Sequence, residues 1–185
     1  MEPPRLVITG RPGIGKTTLF NKIINTLREN GFKIGGIIAP EVRSRGVRVG
    51  FRIVDLYSGV EGWLAKKNYI SPIRIGRYGL VVDEALSVWR KAIEGIKVAD
   101  VIGIDEVGPM ELKLPGFKKD LIEFVLKSTK PFVLVVHYRL NDPDILGLLE
   151  KTKRIVVELS NRDALGIEIP PYFLNEVKKF YSQGD

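Results

Sequence analysis

The 185-residue chain has no cysteine, which excludes disulfides and thiolate metal sites. Its one histidine, His137, is too few for a metal site of clustered imidazoles. No apolar run approaches the roughly 18–20 residues that a bilayer-spanning helix requires, so no membrane association is expected. The opening Met1-Glu-Pro-Pro-Arg5 lacks the form of a secretory leader. Repeats and low-complexity stretches are missing too. The chain therefore reads as one domain, residues 1–185, expected in the cytoplasm.

What is present is an ordinary globular balance, with 44% hydrophobic and 28% charged residues, which argues for a packed core. Lys and Arg number 29 against 22 Asp and Glu, a net charge of +7. A basic surface admits a nucleic-acid partner. That partner is not favoured here, because the basic residues are spread along the chain and enriched only at Arg43, Arg45, Arg48 and Arg52. The sequence leaves the oligomeric state open.

Apolar spacing then orders the elements. Arg5–Thr9 is a short apolar run that leads into glycines, as a buried strand does. Lys16–Glu29 follows at helical period, with Leu19, Phe20, Ile23, Ile24 and Leu27 on one face and Asn30-Gly31 as its stop. Phe32–Ala39 reads as a second strand, and Val47–Leu56 alternates after a Ser44-Arg45-Gly46 turn, as a β-hairpin does. Helices are expected over Asp83–Lys97, Phe117–Lys127, Pro143–Glu150 and Pro171–Ser182, the last starting on its prolines. Strands are expected over Val101–Ile104, Pro131–Val136 and Arg154–Leu159. This alternation specifies an α/β fold, a mostly parallel sheet with helices on both faces and a β-hairpin insertion. Ligands bind such sheets beyond the carboxyl ends of the strands.

The chemistry-bearing residues fall at those ends. Gly10, Arg11, Pro12, Gly13, Ile14, Gly15, Lys16 and Thr17 match Gly-x4-Gly-Lys-[Ser/Thr] between a strand and a helix, with Thr18 following. The glycines let consecutive N–H groups face phosphates at a helix N-terminus. Lys16 would set an ammonium against the β and γ phosphates, and the Thr17 hydroxyl would ligate Mg²⁺. The class is thus a P-loop NTPase. Val101, Ile102, Gly103 and Ile104 then carry Asp105 and Glu106 in the form of a Walker B strand, followed by Val107 and Gly108. Asp105 would hold the metal, and Glu106 would orient and deprotonate an attacking water. Glu111 could face back to the site, although a lone loop carboxylate is ordinarily solvated.

Further groups are suggestive. Arg139 or His137, after the strand ending at Val136, could neutralise charge on the γ-phosphate. Asn161, Arg162 and Asp163 follow the last strand, where a base-contacting loop would sit. The Asn-Lys-x-Asp tetrad of guanine-specific GTPases is missing, which disfavours strict GTP selectivity. Arg48 and Arg52 share a face if strand pairing is regular, as a cationic flap over the triphosphate or a docking face for RNA or protein. A nucleotide or small-molecule kinase, and a nucleotide-regulated RNA- or partner-binding switch, stand beside hydrolysis as alternatives.

Gly10–Thr17, Gly35-Gly36 with Glu41-Val-Arg43, Gly46-Val-Arg48-Val-Gly-Phe51, Val101–Gly108 and Asn161-Arg-Asp163 together resemble the THEP1-type nucleoside-triphosphatases, small P-loop proteins of thermophiles and animals. The resemblance spans nearly the whole chain. It implies Mg²⁺-dependent hydrolysis of ATP, GTP, CTP and UTP to the diphosphate with broad base tolerance. It also implies nucleotide contacts from Gly10–Thr17 and Val101–Gly108. The chain departs from the family after the histidine, where Tyr138 and Leu140 flank Arg139 in place of a more basic segment.

Overall fold

Residues 2–183 are described by the computed structural model. Strand β1 (Arg5–Thr9) sends Leu6 and Ile8 into one apolar cluster and Val7 into another, so both of its faces are buried. Strand β9 (Phe132–Val136) does the same, with Phe132, Leu134 and Val136 on one side and Val133 and Val135 on the other. Apolar residues at every position are what a parallel strand between two helical layers requires. These strands join β2 (Ile34–Ile38), β8 (Val101–Val107) and β10 (Lys153–Val156) in the parallel order β10-β1-β9-β8-β2.

Helix α1 (Lys16–Glu29) and helix α6 (Arg162–Ser182) cover one face. The other face is covered by α2 (Val82–Val98), the short α3 (Pro109–Leu112), and α4 (Phe117–Asp120) with its π-helical continuation Leu121–Leu126. Helix α5 (Pro143–Leu148) is capped by the Asp142 carboxylate, which accepts from the N–H groups of Asp144 and Ile145. Gly103 lets α1 lie close on β8. A Cβ there would meet Phe20 and Ile24 at 3.0 Å.

The antiparallel part is larger than the hairpin expected from sequence. β3 (Glu41–Ser44) and β4 (Val47–Asp55) form that hairpin, and β4 pairs antiparallel with β2. Beyond β4 lie β5 (Glu61–Lys67), β7 (Tyr78–Leu80) and β6 (Arg74–Ile75), giving ten strands among the described residues. The register shifts between Phe51 and Arg52, so regular alternation of Arg48 and Arg52 does not hold. Arg48 pairs with Glu41 instead, and Arg52 with Glu61 at 2.8 Å. Helix α6 starts nine residues before the expected Pro171 and runs through Pro170 and Pro171. Burial of Ile169, Phe173, Leu174 and Val177 against the sheet outweighs the hydrogen bonds those prolines remove. Of the residues assigned to the expected single domain, Met1, Gly184 and Asp185 lie outside the described ones.

Candidate active site

The loop between β1 and α1 is shaped by its glycines. Gly10 has φ +148°, and a Cβ on it would meet the Val157 carbonyl oxygen at 2.6 Å, so no other residue fits between β1 and the segment after β10. Lys16 opens α1, and its ammonium donates to the carbonyls of Gly10 at 3.0 Å and Arg11 at 3.1 Å. The charge is thereby folded back over the loop. The first N–H groups of a helix have no intrahelical acceptor, so Lys16 and the amides around it form a positive, anion-binding concavity.

Strand β9 lies between β1 and β8, which sets the carboxylates two strands from the loop. Asp105 is only 6% exposed, and burial raises its pKa to about 6; the neighbouring Thr17 hydroxyl and the Lys16 charge oppose that rise. Glu106 is raised by burial and lowered by Lys16. Its Oε1 is buried and has no hydrogen-bond partner among the described residues. Strand β8 runs on past Ile104 through Val107 with an irregularity between Asp105 and Val107, where the Asp105–Glu106 peptide is cis. Val101, Ile102 and Ile104 are fully buried, and of residues 101–108 only Glu106 is more than marginally open to a ligand.

Glu111 is buried, not solvated as its loop position suggested. It sits in α3, and its Oε2 accepts the Gly108 N–H at 3.2 Å. Burial, reinforced by the Glu106 and Asp105 charges, pushes its pKa to about 8, against opposing backbone hydrogen bonds. A carboxyl whose folded pKa exceeds its ordinary value of 4.5 binds more protons folded than unfolded. Its stabilising contribution is complete below about 4.5 and is lost as pH rises to about 8. The nucleotide-free protein should therefore lose on the order of a few kcal/mol across that window. Glu111→Gln should flatten the loss, as thermal melts at stepped pH would record.

A hydroxyl and a buried carboxylate of this kind suit a hard cation that keeps waters and shares substrate phosphates. Among the described residues no three His, Cys, Asp or Glu side chains cluster to hold a metal alone. Thr17 and Asp105 fit Mg²⁺ only in partnership with a triphosphate.

His137 follows β9, and its N–H donates to Val107 at 3.0 Å. Its Nδ1 accepts the Arg139 N–H at 3.2 Å, and burial together with the Lys16 and Arg139 charges lowers its pKa. Arg139 is exposed, with its guanidinium 5.0 Å from the Tyr138 ring centre. Residues 161–163 are not a free loop: Asn161 stands at the start of α6 without a side-chain capping bond, and Arg162 and Asp163 are helical. The Asn161 amide accepts from the Glu158 N–H at 2.8 Å and donates to the Val156 carbonyl at 3.0 Å. Arg162 reaches the loop; its Cδ would lie 3.9 Å from a Cβ on Gly15. The Asp163 side chain is 94% exposed.

A glycine loop on a helix N-terminus, facing carboxylates across one intervening strand, is the arrangement of a P-loop nucleoside-triphosphatase. A family model described as NTPase matches residues 5–170. The chain is 43% identical over 173 residues to the nucleoside-triphosphatase THEP1 of Saccharolobus solfataricus, covering 94% of each. Against the protein of that name from Methanopyrus kandleri it is 42% identical over 175 residues, 93% of this chain and 96% of the other. The crystal structure of THEP1 from Aquifex aeolicus superposes with a TM-score of 0.75 at 28% identity, covering 91% of this chain and 98% of that one. A human cancer-related nucleoside triphosphatase, solved in solution, gives 0.75 at 26% identity, covering 91% and 96%. The chain belongs to the THEP1 nucleoside-triphosphatase family.

Proposed function

We propose that the protein hydrolyses ATP, GTP, CTP and UTP to the diphosphate and phosphate, with Mg²⁺ and with little regard for the base. The observation that carries water attack over transfer to another acceptor is the buried, unpartnered Oε1 of Glu106 on the carboxylate strand. An acceptor lacking a protein partner in a site facing the loop is placed to take a proton from water. Lys16 and the loop amides of Gly10–Thr17 grip the β and γ phosphates. Thr17 and Asp105 would hold Mg²⁺, which would neutralise charge on the phosphate oxygens. Glu106 orients the attacking water, and Arg139, close to the β9 end, meets charge that develops on the γ-phosphate. Within Asn161–Asp163, Arg162 is the residue whose side chain reaches the loop, which favours it for contact with the nucleoside end. The activity belongs to one domain in the cytoplasm.

The test is phosphate release from the four triphosphates with no acceptor added. Release from all four at rates within about tenfold supports the proposal. Release that starts only with a nucleoside, nucleotide or RNA acceptor assigns the site to transfer instead.

A further inference from the structure

Residues 41–80 hold eight Lys and Arg against three Asp and Glu, so five of the chain's seven net positive charges fall in this stretch. Along the sequence these cations are scattered. Strand pairing gathers them in the antiparallel part of the sheet, β3 to β7. Helices α1 and α6 do not extend over it: among the described residues, none of β3–β7 enters the apolar cluster beneath those helices. Helix α2 packs on the opposite face, where Ile53, Leu64 and Ala65 join Val88 and Trp89. One face of these strands is therefore left without a covering layer.

A bulge decides what that face displays. Phe51 pairs with Ala65 and Arg52 with Trp63, so Leu64 is an extra residue in β5. Leu64 and Ala65 are both fully buried, which turns Trp63 and Lys66 to the outer side although they are three residues apart. The Trp63 ring lies across Gly50, where a Cβ would meet it at 2.9 Å. The Arg52 guanidinium stands 5.0 Å from the Trp63 ring centre, and Lys66 Nζ stands 4.8 Å from it. The same ammonium is 5.7 Å from the ring of Tyr69, a residue 40% exposed. Arg74 donates to the Tyr69 carbonyl at 3.1 Å, and the Arg77 carbonyl accepts from the Asn68 N–H at 2.8 Å, which fixes both beside the end of β5. Glu61 pairs with Arg52, and Glu41 with Arg43 and Arg48. Among the described residues Lys66, Lys67, Arg74 and Arg77 have no carboxylate partner.

We propose that this face binds single-stranded nucleic acid, with successive bases on Trp63 and Tyr69 and the intervening phosphate on Lys66. Two aromatic rings that share one ammonium match the ring, charge, ring order of a splayed dinucleotide. The unpaired cations around them suit the rest of the backbone. An acidic protein segment would meet the charges and leave the rings unused, and a duplex keeps its base faces stacked inside. The face is separate from the triphosphate loop, because β9, β8 and β2 stand between β1 and β4.

The test is fluorescence anisotropy of short labelled oligo-U and oligo-dT, with the loop filled by β,γ-imido-ATP so that no strand end enters it. Both strands should bind. Between about 50 and 200 mM salt both should lose about 50-fold in affinity, the loss for about four phosphate contacts. A duplex of the same length should bind about tenfold more weakly, since it offers no base faces. Trp63→Leu keeps an apolar side chain over Gly50 and Tyr69→Ser alters an exposed residue, so both variants should melt near the unaltered temperature. Each should weaken both single strands about 10-fold, as loss of one stacking partner does. Lys67→Gln combined with Arg77→Gln should instead lower the salt slope by about 1.4, at about 0.7 per contact. Failure of both strands to bind at the lower salt overturns the proposal. So do a duplex that binds equally well and folded ring variants that bind as the unaltered protein does. Polyglutamate that binds as tightly as oligo-dT overturns it in favour of an acidic protein partner.

Discussion

Glu106→Gln is expected to bind triphosphates as tightly as the parent protein and to turn them over on the order of 10²-fold more slowly, the common worth of a general base. The substitution keeps the shape of a side chain whose Oε1 is buried without a partner, so the site should not collapse. It removes the one property a base needs, a carboxylate basic enough to take a proton. Burial holds the Glu106 carboxyl above its ordinary value of 4.5, with Lys16 opposing. A base must be deprotonated to act, so activity in the parent should rise with pH along a limb displaced above that value. The limb should vanish in the glutamine variant. Single-turnover rates against pH, with binding measured separately, check both points, and parent-like rates in the variant would remove Glu106 from the chemistry.

Lys16→Ala should weaken triphosphate binding and abolish turnover, because it deletes a charge fastened to the loop by two loop carbonyls, at 3.0 and 3.1 Å. A point cation against β and γ oxygens has no substitute among neutral amides. The same change has a signature independent of activity. Lys16 helps to lower the pKa of His137 and to restrain those of Asp105 and Glu106. Its removal should raise all three. His137 is the sole histidine of the chain, so its ring protons give one resolved titration in an NMR spectrum. A histidine pKa unmoved by Lys16→Ala would place the ammonium away from the β9 end.

Much of this architecture was legible because its signals are local. Gly10–Thr17 carries its conformation and chemistry in one contiguous stretch, and the buried parallel strands announce themselves as short apolar runs between turn residues. The residues from Glu61 to Leu80 did not, since β5, β6 and β7 mix Trp63, Lys66, Arg74 and Tyr78 with glycines and show no clean alternation. They become strands by pairing with β4 and with each other, a non-local effect. Pro170 and Pro171 misplaced the start of α6 for a similar reason. Local propensity puts prolines in a first turn, whereas packing against the sheet carries this helix through them.

In the site itself, Asp105 and Glu106 stood out by following an apolar strand. Glu111 did not, because nothing in its neighbours says that α3 folds it back under Gly108. The one signal was its place just past Gly108-Pro109, a turn that reverses the chain at the strand end. Tyr138 and Leu159, 21 residues apart, line one cleft because β9 and β10 flank the same strand.

That flanking arrangement has a metric consequence on the other side of the loop. With β9 interposed, the backbones of the loop strand and the carboxylate strand stand two interstrand steps apart, about 9–10 Å. Side chains close that gap, for the Thr17 hydroxyl neighbours the Asp105 carboxylate and the Lys16 charge is felt at both Asp105 and Glu106. The two halves of the site are thus carried by separate strands and meet through their side chains.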